Sequence, residues 1–332
     1  MLRISVSTHA WPVAGSFRIA HGSVSEVRVV TVTATDGKIC GYGECRPYAR
    51  YNETPKSVIA QIKGLRVNIE AGANCMDVQK RLPRLLPSGA ARNAVDCALW
   101  DLRCKQVRQP IWQMLDIPKP KPRCTAFTLS INSPAKMARA AKAAKQFPLL
   151  KLKIDGYEGL EACLAVLQAR PDAELIVDAN ESLSPETLPA FRRALAHAPV
   201  LLIEQPLKTS EFDKIDNHPT ALPILCADES LHTGKNLDAL WRAGYRAVNV
   251  KLDKCGGVSE AVHVMRQAKS MGFLVMAGCM VGTSLAMAPM MALSAYADFI
   301  DLDGPLLLAK DVENGLRYEG AIVHPPLSAL WG

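Results

Sequence analysis

The sequence predicts an α/β protein: a (β/α)7β barrel, or modified TIM barrel, with an α+β N-terminal capping domain that the C-terminal tail completes. Three observations predict it. Eight short apolar runs follow one another from residue 124, starting about 25 residues apart. Amphipathic segments of helical length, such as SPAKMARAAKAAKQF and SEAVHVMRQAKSMG, separate them. The first 120 residues lack this rhythm and mix strand and helix patterns. Strands alternating with helices mean βαβ units and a parallel sheet, and eight at this spacing favour a closed barrel over an open sheet.

The 332 residues leave room for a large barrel and an accessory unit. In the expected capping domain, residues 1–120, SEVRVVTVTATDGKICGYGEC alternates as paired strands do, with Asp36-Gly37 as the hairpin turn. Residues 90–108, AARNAVDCALWDLRCKQVR, are apolar at helical spacing. The run IPKPKPR, 117–123, alternates Pro with Lys and reads as a linker. The barrel is expected over 121–303, with strands near 124–131, 149–154, 174–178, 200–204, 223–228, 246–251, 273–277 and 298–302. The tail, 304–332, holds no good helix. Its strand-like GLRYEGAIVHPP is expected to return to the capping domain.

Composition narrows the function. The chain carries 39 Lys+Arg against 32 Asp+Glu, a net +7. Nucleic acid is not expected, because no basic run is extended or interleaved with aromatics. No apolar run approaches the roughly 18 residues of a membrane span, and no secretory leader is read at the N-terminus, so no membrane is expected either. The ten cysteines form no C-x-x-C pair and no zinc spacing. Several lie in apolar runs, which suits a reducing, cytoplasmic compartment.

The chemistry is expected where the barrel strands end. The second strand carries Lys151 and Lys153; the third, fourth and fifth end in Asp178, Glu204 and Asp228; the sixth carries Lys251; the eighth carries Asp301 and Asp303. Neighbouring strands lie roughly 4.8 Å apart, so three successive carboxylates can converge on one ion. All-oxygen ligation favours a hard divalent cation, Mg²⁺ before Mn²⁺. Each acid alone could cap a helix or pair with a lysine; three in register point to a shared ion.

Lys151 and Lys153 are two apart and project to one face of their strand. Their mutual repulsion is expected to lower the pKa of one and supply a base near neutral pH. Lys251 is four strands away, on the opposite wall of an eight-stranded barrel. A substrate carbon between the two walls would have an amine on each face. One lysine then removes an α-proton and the other returns one, which inverts the carbon.

The ordered motifs KLK, VDAN, IEQP, ADES, VNVKLDKCGG and DLDGP resemble the enolase superfamily, in its muconate-lactonising subgroup, and within it the dipeptide epimerases. SFRIAHGSVSE, YGECRPYARYNET and SGAARNAVDCALWDLR resemble that family's capping domain. The resemblance implies an isomerase that epimerises the C-terminal residue of a dipeptide through an enediolate, with Lys153 and Lys251 as the acid/base pair. It implies Asp178, Glu204 and Asp228 as ligands of one Mg²⁺ per subunit, replaceable by Mn²⁺. Lys151 would meet the substrate carboxylate, Asp301 and Asp303 the free α-ammonium, and Thr128 a further part of the substrate. A small-molecule dipeptide as partner, a homo-oligomer and a cytoplasmic role in peptidoglycan recycling are implied as well. His21 stands in the N-terminal loop where glutamate-specific relatives carry arginine, and a neutral imidazole cannot grip a carboxylate bidentately. Arg18, Arg46 and Arg50 lie nearby in sequence as substitutes.

Alternatives on the same scaffold are o-succinylbenzoate synthase, N-acylamino acid racemase and muconate cycloisomerase. DLDGP argues against substrates without an ammonium. A Schiff-base aldolase using Lys153 or Lys251 would not need three metal carboxylates.

Overall fold

The computed structural model describes residues 2–19, 22–65, 74–215 and 222–332, with side chains described outside 16–24. The chain opens with a three-stranded antiparallel sheet: β1 (Arg3–Ile19), β2 (Gly22–Thr35) and β3 (Cys40–Cys45). The Asp36-Gly37 turn joins β2 to β3 as expected. Asp36 Oδ1 accepts from the Lys38 and Ile39 N–H groups, and Gly37 takes φ +98°. Among the described residues the main helices that follow are α1 (Pro55–Gly64), α2 (Cys75–Leu85) and α3 (Ala90–Val107). Reciprocal bonds between Thr54 and Ser57 cap α1, with Pro55 at its first position. The apolar helix α3 lies across β3 so closely that a Cβ on Gly43 would stand 2.2 Å from the Ala94 carbonyl oxygen.

The eight parallel strands of the barrel are β5 (Phe127–Leu129), β6 (Leu149–Lys153), β7 (Glu174–Asp178), β8 (Val200–Glu204), β9 (Ile224–Ala227), β10 (Ala247–Val250), β11 (Leu274–Ala277) and β12 (Phe299–Ile300). Each lies inside the apolar run that predicts it. The Ala126 N–H donates to the Ile300 carbonyl at 2.8 Å, so the first and last strands meet and the sheet closes. Six of the seven crossovers carry an α-helix; the β8–β9 crossover has none among its described residues. Only a short 3-10 turn, Gly304–Leu307, follows β12, so the eighth strand has no α-helix after it among the described residues.

The barrel interior is layered, as period-2 alternation demands. Ala126, Leu149, Ile176, Leu202, Cys226, Ala247 and Met276 form its apolar floor. One pleat higher on the same faces stand Thr128, Lys151, Asp178, Glu204, Asp228, Asn249 and Gly278. Leu152, between the two lysines, points the other way into the core shared with the outer helices.

The tail has two destinations. Residues 318–319 and 322–323 form the hairpin strands β13 (Tyr318–Glu319) and β14 (Ile322–Val323), and β14 pairs with β4 (Arg123–Cys124) at the start of the barrel, not with the capping domain. The expected capping-domain contacts come from its two ends. Ala309 N–H bonds the Pro12 carbonyl beside a Val13–Leu308 bridge. Trp331 Nε1 donates to Cys97 O, and Gly332 N–H to Asp101 Oδ1 on α3.

Candidate active site

The strand ends converge above the apolar floor. Across β6, β7 and β8, Lys153 pairs with Asp178 and Asp178 with Glu204, so all three sit at one level. Asp228 follows β9 and Lys251 follows β10 by one residue each. Carboxylate oxygens of Asp178, Glu204 and Asp228 lie within 4.8 Å of one another, and all three residues are fully enclosed.

The lysines fill this bowl from both walls. Lys151 Nζ lies 2.7 Å from Glu204 Oε2, 2.8 Å from Asp301 Oδ2 and 3.1 Å from Asp178 Oδ2. Lys153 Nζ lies 2.5 Å from Asp178 Oδ2, and on the far wall Lys251 Nζ lies 2.6 Å from Asp228 Oδ2. Lys153 and Lys251 thus approach the acidic triad from opposite sides through different members.

Electrostatics here follows from burial opposed by these pairs. Burial alone would raise the Asp178 carboxyl; Lys153 and Lys151 outweigh it and bring it down to about 2. Asp228 is likewise raised by burial and carried well below the usual range by Lys251 and Lys254. Glu204 is pushed up to about 7, by burial and then by Asp178. The expectation that repulsion lowers one lysine of the Lys151/Lys153 pair fails for Lys151. Burial pulls it down, but Asp301, Glu204 and Asp178 more than offset that and hold it above its ordinary value. Carboxylates pressed against the ammonium outweigh a second ammonium on the same strand.

Asp301 and Asp303 are both enclosed, yet neither is idle. Asp301 Oδ2 accepts from Lys151, and Asp303 Oδ2 accepts from the Thr128 N–H at 2.6 Å. Burial and the neighbouring Asp301 push the Asp303 carboxyl up to about 7. Thr128 is thereby tied to Asp303, on the strand that pairs with β6 at Lys151. His21 lies outside the described residues, and Arg18 has no described side chain. Arg50 is fully engaged: its guanidinium bonds both oxygens of Glu181 at 2.8 Å, which latches the capping domain to the loop after β7.

Several site groups were not read from the sequence. Lys254 is almost fully enclosed and bonds Asp228 Oδ1 at 2.5 Å, the Asp228 carbonyl and, at 3.1 Å, the Asn249 carbonyl. A signal existed: Lys254 is three residues past Lys251, a spacing that returns to the same side of a helical turn. Asn249 Nδ2 donates to Glu204 Oε1 at 2.8 Å, and a Cβ on Gly278 would overlap its amide. Its signal was period-2 spacing from Lys251. Asn180 Nδ2 bonds the enclosed Glu229 at 3.1 Å; no pattern announces that pair, since Asn180 itself sits at φ +41°.

The donor set fits a divalent cation. Three converging carboxylates offer only hard oxygen ligands. Glu204 Oε2 lacks a well-directed hydrogen bond although Lys151 stands close. Four enclosed lysines (151, 153, 251, 254) stand among six enclosed acids (178, 204, 228, 229, 301, 303), and Glu204 is among those that burial pushes up in pKa, to about 7.

Comparison with known proteins places this geometry. Residues 1–116 match the mandelate racemase/muconate lactonizing enzyme N-terminal domain, and residues 135–327 match the enolase C-terminal domain-like family. The chain belongs to the enolase superfamily. Among its members, the L-Ala-D/L-Glu epimerase of Escherichia coli (strain K12) is 43% identical over 98% of this chain and 100% of its own length. The N-acetyl-D-glutamate racemase of a Pseudoalteromonas species is 41% identical over 92% of this chain and 95% of its own. The solved structure of an enolase family member from Agrobacterium tumefaciens, with homology to dipeptide epimerases and with bound sodium and L-Ala-L-Glu, superposes with a TM-score of 0.93. It is 40% identical and covers 100% of both chains. These superfamily relatives are isomerases that act on amino-acid derivatives.

Proposed function

We propose that this protein is a Mg²⁺-dependent dipeptide epimerase that moves a proton at the α-carbon of the C-terminal residue. The observation that carries it is the placement of Lys153 and Lys251 on opposite walls of the barrel, each paired with a different acid of one triad. Lys153 Nζ and Lys251 Nζ serve opposite faces of the α-carbon; one accepts the departing proton and the other delivers a new one. Lys151 holds a substrate carboxylate oxygen and stays charged, since three acids surround it. Asp178, Glu204 and Asp228 hold the cation. When bound, it stabilises the negative charge that builds on the carboxylate as the α-proton leaves. The enclosed bowl keeps water away and strengthens every charge interaction within it.

Asp301 and Asp303 line the end of β12, where the free ammonium of a dipeptide would be met by charged acceptors. Residues 1–120 cover the barrel of 121–303, and 304–332 tie the two together. The ten cysteines are all free thiols, which supports a reducing, cytoplasmic setting. We place the reaction in the recycling of peptidoglycan-derived dipeptides. Turnover of L-Ala-L-Glu in D₂O with Mg²⁺ tests the reading: deuterium should enter the glutamate α-position as the D-epimer forms. Retention of protium with full conversion, or no exchange with any L,L-dipeptide, would overturn it.

One observation favours a second reading, racemisation of an N-acyl amino acid. Lys151 already occupies Asp301, and Asp303 is held by Thr128, which weakens their call on an ammonium. Direct competition between L-Ala-L-Glu and N-acetyl-L-glutamate separates the two readings.

A further inference from the structure

We propose that Arg46 is the specificity residue that grips an acidic side chain on the substrate residue being inverted. The inference rests on the epimerase or racemase reading above and names its substrate class: a dipeptide or N-acyl amino acid whose reacting residue carries a side-chain carboxylate.

The backbone delivers Arg46 to the barrel mouth. It follows β3 directly, two residues past Glu44, and in extended chain those two side chains share a face. Glu44 docks that face onto the barrel: its carboxylate accepts from the Thr283 N–H and hydroxyl, both at 2.9 Å. Arg46 is anchored as well, its own N–H donating to Asp253 Oδ1 at 3.2 Å. Its half-buried guanidinium lies 5.6 Å from the Tyr48 ring, within electrostatic reach of Cys279. The Tyr48 phenol in turn lies within reach of Lys153 and Lys251, and Cys279 within reach of Asp301, Asp303 and Lys251. The guanidinium therefore lies where the end of β3 meets the barrel, against the Val281 carbonyl and beside the Tyr48 ring, with its backbone held by Asp253 two residues past Lys251.

It stands there without an anion. Among the described residues its one hydrogen bond is to the Val281 carbonyl, long at 3.5 Å, and it forms no ion pair with any of them. Asp253, the carboxylate within reach, is engaged by Asn93 Nδ2 at 2.9 Å and by the Arg46 N–H. Among the described side chains the other candidate cations are spent: Arg50 on Glu181, Lys151 and Lys153 on Asp178, Lys251 and Lys254 on Asp228. A partly desolvated guanidinium with open donors fits a carboxylate bidentately, which an imidazole does not.

The test compares wild type, Arg46→Met and Arg46→Glu with L-Ala-L-Glu, the isosteric L-Ala-L-Gln and L-Ala-L-Lys. We expect wild type to prefer Glu over Gln, and Arg46→Met to reduce that kcat/KM ratio roughly a hundredfold, the worth of a charged hydrogen-bond pair. Arg46→Glu should turn the preference toward Lys. An unchanged Glu/Gln ratio in Arg46→Met overturns the proposal. If no variant turns over any dipeptide, the activity reading fails, and equilibrium binding decides Arg46 separately. Calorimetry with L-Ala-L-Glu, N-acetyl-L-glutamate and their glutamine counterparts should show a glutamate preference that Arg46→Met removes. A preference that is absent, or that survives the substitution, overturns the assignment. Circular dichroism confirms that each variant is folded.

Discussion

Lys254 and Asp228 form an enclosed ion pair at the floor of the site, with Nζ 2.5 Å from Oδ1 and both side chains almost wholly out of water. Lys251 holds the other oxygen, Oδ2, at 2.6 Å. Asp228 is thus fixed in one orientation by two lysines that lie three residues apart.

Breaking that pair should be costly. Lys254→Met leaves Asp228 Oδ1 and the Asp228 and Asn249 carbonyls without the ammonium that Lys254 supplies, while Lys251 still holds Oδ2. A buried pair cut on one side typically costs about 3–5 kcal/mol. Urea unfolding of the metal-free protein should show a loss of that order; a loss below about 1 kcal/mol would place Lys254 outside the clamp.

Lys153→Ala and Lys251→Ala should each abolish epimerisation, a fall of roughly 10²–10⁴-fold or more for loss of one proton-transfer group. Exchange resolved by enantiomer should differ between them. Each variant keeps the lysine on one face, so each should wash deuterium into one epimer only. Identical residual exchange from both epimers in both variants would remove the two-sided assignment.

Chelation with EDTA should silence turnover, and Mg²⁺ should restore it. Folded protein that binds the ion gains stability by mass action, about 2.7 kcal/mol at a hundred times Kd. Thermal melts should therefore rise with Mg²⁺, and the rise should vanish in Glu204→Gln. Full activity in EDTA would exclude a required metal.

Glu44 predicts a pH dependence remote from the carboxylate triad. Burial pushes its carboxyl from 4.5 up to about 7, although the Thr283 bonds pull it down. The folded state then keeps a proton that the unfolded chain has lost between pH 4.5 and 7. Stability from this group is present below about 4.5 and declines as pH rises to 7, by roughly 3 kcal/mol at most. Melts from pH 5 to 8 should slope downward, and Glu44→Gln should flatten that slope. An equal slope in both proteins would show that Glu44 does not titrate there.

Much of this was legible in the sequence because period-2 strands and a repeat of about 25 residues are local signals. A residue two positions from another on a strand must share its face, so Lys151 with Lys153 and the run from Asp178 to Asp228 could be placed by counting. Eight strands closing into a barrel then put Lys251 opposite Lys153. The β8–β9 crossover, which has no α-helix among its described residues, left no such trace, since a crossover's conformation does not alter the strand spacing.

The sequence by itself determined the barrel, its order of strand-end residues and the hard-oxygen character of the triad, all of which depend on spacing along one chain. Only the tertiary structure decided which charges neutralise which. Coulomb energy depends on distances across strands and on the low dielectric of an enclosed bowl. Those distances tie Arg50 to Glu181 and Lys254 to Asp228, keep Lys151 charged, and leave the Arg46 guanidinium without an anion.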